Sequence, residues 1–380
     1  MRDRQVRLWI GLLAAAAAVN LAAGLVLAWR QPDRASDLLA MYDWCRSWLV
    51  VGRSLYTGPD ASTDYPPNAI PILAPLGVLP SAVVVPVWTF LGLALAVLVP
   101  WLLADATSRE RGVPFFLVVV LFCGWNSART LLQFSMLSLA LAFAAVRGRE
   151  SRWSGVALGL ALFKPHIAGP VALWAMATGR WRMLVNAALV VAAAWLAYDL
   201  RIGERPDITL AGYWHVLTMI YGGEEGMLGQ TSIRRWVVAA IADARLADAV
   251  WLAASGALLL LACWRAMQTK RNHGALDEVA IVGLFSLWSL LTVYHNYNNL
   301  VLMLPAFIVL LARAWSGAGR LRWLPVGLVQ LALMFDVPAR LDRFAPPAGW
   351  IRVLVDDGDR LLVLATFAFL VVYPHDRSHA

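Results

Sequence analysis

Asp37 is the carboxylate whose position best suits catalysis. It lies a few residues after the first apolar segment, Leu8 to Trp29. At helical spacing Asp37 shares one face with Trp44 and Trp48, and a helix with tryptophans on one side and charges on the other lies in the plane of a membrane interface. Asp37 is therefore a candidate general base at the mouth of a lipid-facing cavity. The alternative is a solvated first-turn acid that the helix dipole favours.

Lys164 is an ionisable residue inside an otherwise apolar run, within the sequence Phe163-Lys164-Pro165-His166. An ionisable side chain at membrane depth is a functional candidate by default. A phosphate would neutralise the ammonium, and His166 offers a second hydrogen-bond donor. The alternative is a lysine that snorkels from a helix end. Because Lys164 stands at a break rather than at an arginine-rich loop edge, we favour the phosphate site.

A third polar break, His295 to Asn299, contains one imidazole, three amides and one phenol. Such a cluster suits the recognition of hydroxyl and phosphate groups, since a site that hydrogen-bonds a sugar rejects ligands lacking those oxygens. The alternative is a polar loop tip. The side chains that we consider for substrate binding, each also explicable as structure, are Tyr65, Gln133, Gln230, Asn296 and Asn299.

Metal and nucleotide chemistry have little support in the sequence. The acidic run Asp356 to Asp359 could bind a hard cation, but it could equally cap the last apolar helix. The three cysteines are odd in number and far apart, so they indicate neither a disulfide framework nor a ligand set. No Walker loop, G-x-G-x-x-G, G-x-S-x-G or H-E-x-x-H occurs. We predict no metal site.

The composition indicates an integral membrane protein. Hydrophobic residues make up 60% of the chain and charged residues only 15%, well below the roughly 25% of soluble domains. The net charge of +8 does not indicate nucleic acid as a partner, because the positive residues are spread over short loops between apolar segments.

The arginines also predict the topology. Arg2, Arg4 and Arg7 precede the first span and place the N-terminus inside, so the loop at residues 30–68 lies outside. Continuing the count gives roughly eleven membrane-embedded helical arms. The other two long outer loops cover residues 201–235 and 337–357.

The polar breaks fall on the same outer side as these loops. Apolar hairpins are interrupted near residues 125–129, 163–166 and 295–299. A non-helical backbone at membrane depth is tolerated only where protein or a watery cavity satisfies it. We therefore predict an all-α, polytopic membrane domain over residues 1–380, with an interfacial helix in the first outer loop and one site that faces outside the cytoplasmic membrane.

Six motifs occur along most of the chain, in this order: Asp37 with Tyr42, GRSLY (Gly52 to Tyr56), DYPP with PLGVLP (Asp64 to Pro80), FKPH (Phe163 to His166), GQTSIRR (Gly229 to Arg235) and YHNYNNLVLMLP (Tyr294 to Pro305). Together they resemble the motifs of glycosyltransferase family 87, the polyprenol-phosphate-mannose-dependent mannosyltransferases of the GT-C fold. Two positions depart from the family pattern. Leu132-Gln133 stands for the usual Gly-Gln pair, and Asn298-Asn299 replaces a Tyr-Asp pair.

The resemblance implies an inverting transferase that takes mannose from a polyprenyl-phosphate donor and passes it to a lipid-linked or glycan acceptor. Asp37 would deprotonate the acceptor hydroxyl, while Lys164 and His295 would hold the departing phosphate. It implies neither a metal nor another cofactor. One alternative is transfer of another sugar, such as arabinofuranose, by the same fold. An alternative of another class is a lipid or solute transporter, because transporters also build sites from broken helices.

Overall fold

The computed structural model describes residues 4–30, 36–58, 61, 63–123, 125, 133–148, 151–221, 232–269, 275–293, 295, 297–316, 320–335 and 350–372. Every regular element within these ranges is helical, so the predicted all-α class is confirmed. The α-helices are α1 (Arg4–Arg30), α2 (Ser36–Arg46), α3 (Ala69–Leu73), α4 (Pro75–Val78), α5 (Ser81–Arg111), α6 (Phe115–Cys123), α7 (Ser135–Gly148), α8 (Arg152–Ala161), α9 (Pro165–Ala177), α10 (Trp181–Ile202), α11 (Pro206–Tyr221), α12 (Arg234–Ala240), α13 (Ala244–Thr269), α14 (Ala275–Thr292), α15 (Leu304–Ser316), α16 (Leu324–Phe335) and α17 (Trp350–Val372). A π-helical turn (Ser47–Val51) and two 3₁₀ helices (Tyr297–Met303 and Arg320–Trp323) complete the described elements.

Four helical segments in the described ranges are long and apolar enough to cross a membrane. They are Ser81–Ala104, Trp181–Ile202, Ala244–Gln268 and Asn299–Ser316. Shorter apolar helices, of 10–17 residues, lie at Ile10–Ala23, Ser135–Gly148 and Leu321–Leu333. The chain is therefore a protein with membrane helices, and the total of roughly eleven arms stays a prediction.

The helices differ in what covers them. Helix α15 is buried along almost its whole length and packs between α14 and α5. Helices α10 and α13 instead present large exposed apolar side chains, among them Leu189, Leu196 and Leu260. Contiguous exposed apolar surface indicates a lipid or protein environment rather than water. Helix α15 thus lies in the protein core, whereas α10 and α13 expose apolar surface of the kind that contacts lipid or another protein.

Helix α2 confirms the helix predicted at Asp37. Asp37 lies exposed in its first turn, while Met41 and Trp48 on the same segment are buried. The Trp48 ring stacks on Tyr198 of α10 with centroids 6.2 Å apart, and its Nε1 donates to the Tyr198 carbonyl oxygen at 3.3 Å. The first outer loop is therefore packed onto α10. Its position relative to the bilayer stays a prediction.

The second outer loop, predicted over residues 201–235, contains a helix that the sequence analysis missed. Helix α11 begins at Pro206, has Asp207 in its first turn, and buries Thr209 completely. Proline and an acid suit a helix start. The Thr209 hydroxyl donates to Asp199 Oδ1 at 2.6 Å, which fastens α11 to α10. Gln230, a predicted substrate residue in this loop, lies outside the described residues.

Helix α17 begins at Trp350, within the residues 337–357 that the sequence predicts as the third outer loop. The acidic run at residues 356–359 therefore lies inside a helix and not before it. Asp357 accepts a hydrogen bond from Trp236 Nε1 at 2.8 Å and pairs with Arg360. Because these charges are paired within the protein, the segment can stay helical despite its polar sequence.

The hairpin of α8 and α9 breaks at residues 162–164, where the sequence predicted an interruption. Helix α8 packs closely along α10, and glycine makes this approach possible. A Cβ atom at Gly159 would lie 2.8 Å from the Ala187 carbonyl oxygen and 2.6 Å from Val190 Cβ. Since α8 leads directly into Lys164, this packing holds the candidate phosphate ligand in place.

We expect Gly159→Ala to destabilise the protein by about 1–3 kcal/mol, because the added methyl group meets backbone atoms that cannot rotate away. The melting temperature in detergent, followed by tryptophan fluorescence, measures the effect. Gly169→Ala on α9 is the matched control, since a Cβ atom there has nothing within 4 Å. Equal melting temperatures of the two variants would contradict the prediction.

Candidate active site

A cavity of about 350 Å³ lies where the first outer loop meets the breaks after α8 and α14. Its wall is contributed by α2, by the segment before α3, by the α8–α9 turn and by α11. The lining residues are Asp37, Ala40, Trp44, Asp64, Tyr65, Pro66, Gln133, Phe163, Lys164, Pro165, His166, Tyr213, Leu217, Val293 and Asn299. Most of the residues singled out in the sequence therefore meet in one place.

Gln133 connects the carboxylate of Asp37 with the ammonium of Lys164. Its Nε2 donates to Asp37 Oδ2, and its Oε1 accepts from Lys164 Nζ at 3.4 Å. An amide has one donor end and one acceptor end, so a cation on one side and an anion on the other fix its orientation. The arrangement places a proton acceptor and a positive charge on opposite sides of one side chain.

Lys164 is the buried cation of this cavity, with 7% of its surface exposed. It stands before the first residue of α9, where Pro165 cannot donate a backbone hydrogen bond. Burial lowers the pKa of Lys164 to about 8, and the carboxylates of Asp37 and Asp64 act in the opposite direction. The Nζ atom also lies 5.6 Å from the centroid of the Tyr65 ring. The ammonium thus remains charged at neutral pH and is held between acidic and aromatic groups.

His166 and His295 form a second layer beside Lys164. His166 lines the cavity, whereas His295 is fully buried and contacts His166 with ring centroids 5.4 Å apart. Ser289 Oγ joins them, since it lies 3.0 Å from His295 Nε2 and donates to the His166 carbonyl oxygen at 3.2 Å. Burial lowers the pKa of His295 to about 3, and the Lys164 charge adds to this shift. His295 is therefore neutral and supports His166 from behind instead of lining the cavity.

Asn299 closes the cavity from the third break. It is 6% exposed, and its Oδ1 accepts a hydrogen bond from Ser135 Oγ at 2.9 Å. This bond leaves the amide nitrogen as the donor that Asn299 can offer a ligand. Asn296, the other predicted residue of this break, lies outside the described residues.

Tyr65 and Trp44 form an aromatic wall of the cavity, and the buried Phe134 packs against Tyr65. The centroids of the Trp44 and Phe134 rings lie 6.3 Å and 6.1 Å from that of Tyr65. Tyr56 OH donates to the Tyr65 carbonyl oxygen at 2.6 Å and holds its backbone. The DYPP segment is thus held in place by these contacts, with its Tyr65 ring beside Lys164 Nζ.

Asp64 is the residue that the sequence analysis did not include among the candidates. It lines the same cavity as Asp37 and interacts electrostatically with Lys164. Tyr213 of α11 was missed as well, because α11 was not predicted. The signal for Asp64 was present in the motif DYPP, from which the sequence analysis took only Tyr65 as a candidate. In the described part of the chain no three acidic, histidine or cysteine side chains converge as a metal site.

Comparison with known proteins gives one match. The sequence model of glycosyltransferase family 87 matches residues 63–293, which is more than half of the chain. This range includes Asp64, Gln133 and Lys164, while Asp37 and His295 lie outside it. No curated protein and no solved structure matches the chain.

Proposed function

The chain belongs to glycosyltransferase family 87, and from this premise we propose that it transfers mannose from a polyprenyl-phosphate donor to a lipid-linked or glycan acceptor. Transfer takes place at the outer face of the cytoplasmic membrane and inverts the anomeric configuration. The membrane helices and the family membership support a membrane glycosyltransferase in general. The donor, the sugar, the side of the membrane and the residue roles are our proposal.

The link from Asp37 through Gln133 to Lys164 is the observation that carries this proposal. Inverting transfer needs a base for the acceptor hydroxyl on one side of the sugar and a stabilised leaving group on the other. The cavity offers a carboxylate and an ammonium separated by one amide side chain. Apolar residues such as Ala40 and Leu217 share its wall, which suits a donor with a lipid tail.

The reaction is a single displacement at the anomeric carbon. Asp37 accepts the proton of the acceptor hydroxyl while the hydroxyl oxygen of the acceptor forms the new bond to the anomeric carbon. The bond between that carbon and the phosphate oxygen breaks on the opposite face, and both bonding electrons leave with the phosphate. Lys164 and His166 stabilise the negative charge on the polyprenyl phosphate by charge and hydrogen bonding.

Radiolabelled donors test the proposal in proteoliposomes that contain the full-length protein and membrane lipid extract as acceptor. We expect labelled mannose to be transferred from polyprenyl-phosphate mannose but not from a nucleoside-diphosphate mannose. The anomeric configuration of the product should be opposite to that of the donor. Preferential transfer from polyprenyl-phosphate arabinofuranose would mean that the protein transfers arabinofuranose and not mannose. Movement of labelled lipid across the bilayer without any covalent product would overturn the proposal in favour of a transporter.

A further inference from the structure

Asp64 gives the cavity a second carboxylate that the proposed reaction does not use. Both Asp64 and Asp37 line the cavity and interact electrostatically with Lys164. Single displacement needs only one base. The second carboxylate therefore calls for a different ligand group.

The backbone around Asp64 is held on both sides. Thr63 is fully buried, and its Oγ1 accepts a hydrogen bond from the Tyr65 amide at 3.2 Å. Tyr56 OH holds the Tyr65 carbonyl oxygen, and the following Pro66 is buried. Asp37, in contrast, is exposed in the first turn of α2. A side chain on such a fixed segment is suited to recognition, because little freedom is lost when it binds a ligand.

The charge of Asp64 decides which part of the donor it can face. A carboxylate repels a phosphate, but it accepts hydrogen bonds from hydroxyl groups, and such charge-assisted bonds are roughly twice as strong as neutral ones. The neutral, hydroxyl-rich part of a polyprenyl-phosphate sugar is the sugar ring. We propose that Asp64 binds hydroxyl groups of the donor sugar and thereby determines which sugar is transferred. This inference rests on the proposed function.

The proposal predicts how the enzyme treats donors that lack one hydroxyl group. A site that hydrogen-bonds a substrate hydroxyl discriminates strongly against the analogue without it. Wild-type protein should therefore use at least one monodeoxy sugar donor with a kcat/KM about 10²-fold below that of the parent donor, the loss expected when one hydrogen bond to a charged group is removed. In Asp64→Asn the neutral amide replaces the charged acceptor and the hydrogen bond is about half as strong, so this penalty should shrink to about tenfold at that same position.

A series of polyprenyl-phosphate monodeoxymannose donors, assayed with both proteins in proteoliposomes, measures the two penalties as a double-mutant cycle. Asp43→Asn is the control, because Asp43 is an exposed acid of α2 that does not line the cavity. The loss of kcat/KM that Asp43→Asn shows with each monodeoxy donor should equal that of wild type. The melting temperature of each variant reports folding independently of activity.

Two outcomes would overturn the inference while leaving the proposed function intact. One is an Asp64→Asn protein that loses as much kcat/KM with every monodeoxy donor as wild type does. The other is a uniform loss with all donors, which would indicate that Asp64 acts on Lys164 and not on the sugar. Absence of transfer by wild type from any polyprenyl-phosphate donor would instead overturn the proposed function itself, and the inference with it.

Discussion

Asp37→Asn is expected to lower the rate of sugar transfer by about 10³-fold at saturating donor, because general base catalysis contributes roughly 10²–10⁴-fold. Asparagine keeps the size of the side chain and an oxygen that can accept the hydrogen bond from Gln133 Nε2. It cannot take up the proton of the acceptor hydroxyl. The loss should therefore appear in kcat, with the KM for the donor nearly unchanged. Initial rates with radiolabelled polyprenyl-phosphate mannose measure both constants.

Asp43→Asn serves as the matched control for this experiment as well. Asp43 lies on the same helix, is exposed, and does not line the cavity, so its rate should stay within about twofold of wild type, as surface substitutions usually have small effects. Transfer by Asp37→Asn at the wild-type rate would remove Asp37 as the base. Asp64 would then be the carboxylate left in the cavity to take its place.

Local sequence signals were sufficient to predict many of the helices and the position of the breaks. The helix at Asp37 follows from its spacing, and α9 begins at Pro165, where proline suits a first helical position. The interruption after α14 is also where the polar run from His295 predicts it. These features depend on neighbouring residues, which the sequence displays directly.

Features that depend on distant residues could not be predicted in this way. The sequence marks Gln133 only as a substrate-binding candidate. It meets Asp37 and Lys164 only after three separate segments have packed together. Helix α17 runs through the acidic residues 356–359, and there Asp357 accepts a hydrogen bond from Trp236, which is far away in the chain. Pairing of this kind offsets the free-energy cost of burying charges. The number of apolar residues in a segment does not reveal such a partner elsewhere in the chain.

The two histidines of the site show the same limit of prediction from sequence. From the sequence, both His166 and His295 lie at polar breaks and are candidate phosphate ligands. The structure puts His166 on the cavity surface and His295 behind it, bonded to Ser289 of α14. A polar residue at a break can therefore support a ligand group without touching the ligand. Packing between two breaks decides which role it takes.

Lys164→Met is expected to reduce kcat/KM for the donor by about 10²–10³-fold, the range seen when one group that stabilises a developing negative charge is removed. Methionine fills a similar volume but has no charge and cannot donate to the phosphate or to Gln133 Oε1. Because the charge develops in the transition state, kcat/KM should fall for both substrates, and the KM for the donor alone should also rise. Initial rates with each substrate varied in turn measure these constants. An unchanged kcat/KM for the donor would contradict the phosphate role.

The pH dependence tests the same role without removing the side chain. Because burial lowers the pKa of Lys164 to about 8, the free enzyme carries the charge below that pH and loses it above. The kcat/KM for the donor should therefore fall as pH rises through about 8, by roughly tenfold per unit beyond it. Lys164→Arg, whose guanidinium stays charged to about pH 12, should lose this alkaline decline whatever its absolute rate. A decline that Lys164→Arg leaves in place would assign the titration to another group and remove the ammonium from donor binding.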